Sequence, residues 1–227
     1  MVNYSTSEEN YIKTVFHLQG DNETVSTNAL AQELLTSPAS VTDMMKKLKT
    51  KKLIHYQPYQ GFRLNNEGKK VALSIIRRHR LWEYFLSEKL KFQWDEVHEV
   101  AEELEHVSSK KLIDKLEEFL DFPKFDPHGD PIPDIHGKME NYQRVSLSDL
   151  PLNTPAEVCH VGNQSSEMLE LLRHKNIGIG TKLEAKRKFD FDHSVEISTA
   201  SRGKIRQQAP VTISEQLAKN IFVKYGA

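Results

Sequence analysis

The sequence predicts a mainly α-helical chain with small β parts, on three observations. Over the first third, two short helix-period stretches are joined by a tight turn and followed by two strand-like runs. The middle carries three helix-period segments, one of them dense in glutamate and histidine. From Val145 onward the texture changes to short runs, AEVCHV, TKLEAKRKF and SVEIS, around the amphipathic stretch SSEMLELLRHKN. That last third predicts a β-rich domain of roughly 80 residues.

Taken in order, residues 5–19 place Tyr11, Ile12, Val15 and Leu18 at helical spacing, and Gly20 offers a stop. Thr27–Leu35 reads as a short helix and Thr36–Ser37 as a turn. A second helix runs from Pro38 to about Lys49, with proline suited to its first turn. LIHYQ and GFRLN read as two strands joined at Pro58–Gly61. Helix, turn, helix and two-stranded wing make a winged helix-turn-helix over residues 1–74. Helices over 67–91, 94–107 and 109–120 build a helical domain over 75–140. The stripe of the third is Leu112, Ile113, Leu116, Phe119 and Leu120. FPKFDPHGDPIPD, residues 122–134, breaks all periodicity and predicts an ordered connector or a domain edge. The β-rich domain takes 145–227.

Composition narrows the class. The single cysteine, Cys159, excludes an internal disulfide, suits a reducing cytoplasm and reads as a small buried strand residue. The start MVNYSTSEENYIKTVF lacks a basic region followed by an apolar one, so no signal peptide is expected. No apolar run approaches the roughly 20 residues of a membrane span, and the expected location is cytoplasmic. The net charge of −1 conceals a split: residues 1–80 hold 12 Lys/Arg against 7 Asp/Glu, and residues 81–121 hold 5 against 12. A basic unit followed by an acidic one points to an anionic partner beside a cation site.

The acidic segment is EVHEVAEELEHVSS, residues 96–109. On a helical wheel with His98 at zero, Glu102 falls at about 40°, Glu105 at about −20° and His106 at about 80°. Val97, Val100, Ala101, Leu104 and Val107 fill the opposite arc, and Glu96, Glu99 and Glu103 face solvent. A seam of carboxylates and imidazoles flanking a buried face is costly unless a cation sits there. One helix earlier, His79 and Glu83 stand four residues apart and share a face. Paired antiparallel, the two helices can bring His79, Glu83 and His98 to one cation and leave Glu102, Glu105 and His106 for a second. Such donors suit Mn²⁺, Fe²⁺, Co²⁺ or Zn²⁺. The competing explanation is ordinary i,i+4 pairing on helix surfaces.

An enzyme is the main rival class. Glu103–His106 and Glu157–His160 have the E-x-x-H spacing of di-iron carboxylate bundles. The second falls in a strand-like run, however, and Glu103 points away from His98. A metal-independent winged-helix protein is the other alternative.

Four stretches resemble the diphtheria toxin repressor family of metal-dependent transcriptional regulators. They are EENYIKTVFHL, SPASVTDMMKKLKTKKLI, RHRLWEYF with WDEVHEVAEELEHVSS, and PHGDPIP. The resemblance implies a dimeric repressor that binds double-stranded operator DNA when loaded with Mn²⁺ or, alternatively, Fe²⁺, at one or two ions per subunit. It implies that the C-terminal domain is an SH3-like β-barrel and that Leu104, Leu112, Ile113 and Leu116 supply the dimer interface. By position it assigns His79, Glu83 and His98 to one metal site and Glu102, Glu105 and His106 to the other. Asn10 stands where iron-type members carry methionine and manganese-type members aspartate. Glu102 is the manganese-type choice and Glu83 the iron-type arrangement, which together lean to manganese. Gln164 and Glu167 fall where the C-terminal domain lends a Glu and a Gln in long members, with the two types exchanged. Locally they read equally as a polar helix start. In this scheme the ion bridges the acidic seam and pins the first helix.

In the reading helix, Ser37, Pro38, Ala39, Ser40, Thr42 and Asp43 are the candidates for base and thymine-methyl contact. Lys46, Lys47, Lys49, Lys51 and Lys52, with Arg63 in the wing, are the candidates for phosphates.

Overall fold

The computed structural model describes residues 4–20, 24–57, 61–107, 109–140, 142–199 and 210–226. Its contacts group the chain into two compact units, neither of them continuous in sequence. The first comprises Met1–Trp82, Ala101–Phe122 and Ile132–Met139; the second comprises Glu83–Val100, Pro123–Pro131 and Glu140–Ala227.

In the first unit, α1 (Thr6–Leu18), α2 (Thr27–Glu33) and α3 (Pro38–Thr50) precede the antiparallel pair β1 (Ile54–Gln57) and β2 (Gly61–Leu64). Serines begin all three helices: Ser5, Ser26 and Ser37 each accept a backbone N–H from the first turn, and Ser5 forms a reciprocal capping box with Glu8. Ile12, Val15, Leu30, Val41, Met45, Leu48, Phe62 and Leu64 meet in one core. Buried Gln19 accepts the Leu64 backbone N–H at 2.9 Å, tying the end of α1 to the wing. Of the predicted Pro58–Gly61 connection, residues 58–60 lie outside the described residues.

Three helices stop earlier than the pattern predicts, two of them for the same reason. α2 ends at Glu33 and α4 (Asn66–Glu88) ends before Lys91. The terminating residues Leu35 and Lys91 take left-handed φ values of 48° and 62° without being glycine, so composition carries no stop signal. The third, α5, spans Val97–Leu104, and α6 spans Lys110–Phe119. The Glu105 amide still bonds back to Ala101 O at 2.8 Å, which keeps Glu105 on the helical path.

In the second unit, β3 (Val145–Ser146), β4 (Pro155–Val161), α7 (Ser166–His174), β5 (Lys182–Lys188), β6 (Val195–Thr199), β7 (Val211–Ile213), α8 (Glu215–Asn220) and β8 (Ile221–Lys224) follow in order. The strands form an antiparallel sheet in the order β3-β8-β4-β5-β6-β7. The expected closed barrel is an open sheet among the described residues. Its edge strands β3 and β7 are two and three residues long, and each pairs with a single neighbour. Leu169 and Leu172 of α7 and Leu217 and Ala218 of α8 share a core with Val158, Ile197 and Val223. Those helices cover the apolar face that closure would otherwise have to hide. Cys159 is buried at a bulge of β4, as expected of a small strand residue.

Candidate metal centre and reading face

The second unit holds a cluster on the segment that breaks periodicity in the sequence. Residues 123–131 form a compact loop in which Asp126 Oδ1 accepts the amides of His128 at 2.8 Å and Asp130 at 2.9 Å. An isolated bridge pairs Phe125 with Pro131. His128 O accepts Val161 N–H at 3.0 Å, and the Tyr142 hydroxyl lies 3.0 Å from Gly129 O and 2.9 Å from Cys159 O. Burial pushes the Tyr142 hydroxyl up to about 12, so it stays a proton donor at neutral pH. The loop is thereby fixed to β4.

His128 is fully buried, and its Nε2 lies 2.7 Å from Trp94 O. A carbonyl oxygen can only accept, so Nε2 carries a proton, which leaves Nδ1 as the ring's potential ligand atom. Among the described residues that Nδ1 has no hydrogen-bond partner, and it faces Glu83 Oε1 at 3.9 Å. Glu83 is 1% exposed, and His98 Nδ1 approaches the same oxygen at 3.3 Å. Ligand atoms of Glu83, Asp126 and His128 all lie within 4.8 Å of one another. Two buried carboxylates converging with an imidazole nitrogen concentrate negative charge away from water, and a divalent cation between them would offset it. The residues fit a metal ion.

Gln164, at the mouth of α7, donates to Asp130 Oδ2 at 2.5 Å, and Glu167 lies exposed in the first turn. Ser165 caps that helix.

The first unit holds a different constellation. Glu105, fully buried, lies 2.7 Å from His79 Nδ1, while Lys13 Nζ reaches its two oxygens at 2.7 and 2.9 Å and Glu102 at 3.2 Å. Burial alone would raise the Glu105 carboxyl; the His79 and Lys13 contacts outweigh it and hold the group below its ordinary value. His106 Nδ1 lies 2.7 Å from Glu9, which also receives Arg78 at 2.7 Å. Glu9 and Lys13, a helical i,i+4 pair absent from the expected ligands, are the residues of α1 that meet the seam. Asn10 lines a cleft with Ser7, Tyr11, Thr36, Ser40 and Met44.

On α3, Ser37, Pro38, Ala39, Ser40, Asp43, Lys46 and Lys47 are exposed, and Thr42 is half-buried with its hydroxyl bonded to Pro38 O. Lys47 and Lys51 do not simply project to solvent: they reach buried Glu8 of α1 at 3.1 and 2.7 Å. Burial opposes charge on Glu8, but those lysines and the Ser5 amide lower its pKa from 4.5 to about 2. Because the folded value lies below the ordinary one, the stabilisation is complete above pH 4.5 and is lost as pH falls toward 2. Glu8→Gln is expected to cost about 2 kcal/mol at neutral pH and to flatten the stability profile in that acid window. Urea unfolding from pH 2 to 7 measures it.

A helix-turn-helix with a wing, joined to buried carboxylate–imidazole clusters, defines a metal-responsive DNA-binding regulator. The family described as iron dependent repressor, N-terminal DNA binding domain, matches residues 3–62, and its metal binding and dimerisation domain matches residues 65–134. The iron-dependent repressor IdeR of Mycobacterium leprae is 27% identical over 157 residues, 66% of this chain and 68% of that protein. The HTH-type transcriptional regulator MntR of Oceanobacillus iheyensis is 32% identical over 120 residues, 53% of this chain and 81% of that protein. Among solved structures, a manganese-dependent transcriptional repressor in complex with manganese superposes with a TM-score of 0.83 at 28% identity, covering 96% of this chain and 99% of that one. The chain belongs to the iron-dependent repressor family. It is a metal-dependent transcriptional repressor of the diphtheria toxin repressor type, a class that controls metal homeostasis and is not enzymatic.

Proposed function

We propose that this chain represses its target as a homodimer on operator DNA when a divalent ion, Mn²⁺ or alternatively Fe²⁺, is held by Glu83, His98, Asp126 and His128. The observation that carries this is the buried His128 Nδ1 facing the buried Glu83 carboxylate. The donor set has nitrogen and oxygen and no thiolate, which suits Mn²⁺ and Fe²⁺. The manganese named for the related structure supports the first choice. The ion supplies positive charge that lets the carboxylates and imidazoles converge, and so favours the DNA-competent state by whatever it binds more tightly there. His79 stands a turn before Glu83 on α4, and its contact with Glu105 uses Nδ1 alone. To join the set, Gln164 would have to leave Asp130, and Glu167 would have to swing in from the surface.

The exposed start of α3, Ser37 to Asp43, is suited to the major groove, and Lys46 with Arg63 to phosphates. Family members dimerise through the metal-binding domain. Ile113 and Leu116 are buried within the subunit, whereas Leu112 and Phe119 are 43% and 63% exposed on α6. Seven residues apart, they share one face. Leu112, already expected there, and Phe119 carry the interface better than Ile113 and Leu116.

Metal-stripped protein, titrated anaerobically with Mn²⁺ and Fe²⁺ in the presence of a palindromic promoter fragment, tests the reading. Binding that appears with metal is expected. Equal binding with and without metal would leave a metal-independent winged-helix protein.

A further inference from the structure

Resting on that metal-regulated reading, we propose that Lys13 is a resident counter-ion that takes the place of a second metal at Glu102, Glu105 and His106, so that each subunit responds to one ion. A lysine of α1 would normally send its ammonium to water. Here the side chain is 14% exposed, and three carboxylate oxygens lie within 3.2 Å of Nζ. The remaining acid of the cluster, Glu9, is matched by Arg78 and His106. Every buried carboxylate of the seam therefore has its own cation or imidazole. A divalent ion placed on Glu105 would sit against the ammonium, and like charges at hydrogen-bond range repel strongly away from water. Asn10, the α1 residue the resemblance offers as a ligand, borders the cleft beside α3 and brings no charge to the seam.

One consequence concerns α1. The pinning of the first helix to this seam, expected from sequence to need an ion, is done by the Lys13–Glu105 pair and by Glu9 with Arg78 and His106. The metal response then belongs to the Glu83 centre.

Stoichiometry decides it. The full-length, metal-stripped protein is dialysed against Mn²⁺ and bound manganese is counted per chain by elemental analysis. One ion is expected for wild type and for Lys13→Arg, two for Lys13→Ala, and one again for Lys13→Ala with Glu105→Gln. Two ions on wild type, or one on Lys13→Ala, would overturn the proposal. A readout without metal guards against a variant that misfolds. In the metal-free wild-type protein the Lys13 ammonium should give a slowly exchanging ¹⁵N–¹H signal that Glu105→Gln removes. Absence of that signal overturns the proposal by itself. Zero manganese on wild type would instead sink the metal-regulated reading, with the ammonium signal still deciding whether Lys13 closes the cluster.

Discussion

His128→Gln is expected to leave the fold at wild-type stability and to weaken Mn²⁺ binding by at least about 100-fold, since even partners outside the coordination shell are worth 10–100-fold. Glutamine's amide can still donate to Trp94 O where Nε2–H does now, but it puts no imidazole nitrogen where Nδ1 faces Glu83. Metal-dependent DNA binding should fall with it, because a ligand shifts an equilibrium only by its differential affinity. Calorimetric Mn²⁺ titration beside a urea curve separates the two effects. Unchanged metal affinity in a folded variant would remove His128 from the centre and leave Glu83 and His98 to explain.

Gly129→Ala is the second large effect. Gly129 has φ +87°, and a Cβ there would lie 2.0 Å from Cys159 O and 2.8 Å from the His160 Cα. Both obstacles are backbone atoms of β4, so no rotamer change relieves them. A loss of about 3 kcal/mol or more is expected, from the left-handed conformation and the overlap together. If the loop lifts instead of the unit unfolding, the Tyr142 contacts to Gly129 O and Cys159 O break and His128 moves with them. Metal affinity should then fall even where stability recovers at low temperature. A variant as stable and as tightly metal-bound as wild type would mean the close approach to β4 is not required.

These two residues also mark where reading the chain linearly stops. PHGDPIP was visible as an ordered break, and Gly129 as a turn residue, but nothing local says that the turn rests on Cys159, thirty residues on. His128 becomes a donor only because that long-range approach buries its ring beside Trp94 and turns Nδ1 to Glu83. Lys13 is a similar case. Its i,i+4 relation to Glu9 was legible, but which α1 residues meet the seam depends on the rotation of α1 about its axis. Packing of Ile12 and Val15 into the core sets that rotation, and it brings Glu9 and Lys13 to His106 and Glu105.

By itself the sequence determined the periodic and the local. Serine caps and helical spacing specify α1 to α3, alternation specifies the wing, and the wheel through His98 puts Glu102, Glu105 and His106 on one seam. Such features follow from backbone geometry within a few residues. Tertiary structure alone decided what each polar group faces: an ammonium on Glu105, an imidazole nitrogen on Glu83, an open sheet covered by two helices. Partners far apart in the chain are chosen by packing, and the cost of leaving a buried charge unmatched makes those choices consequential.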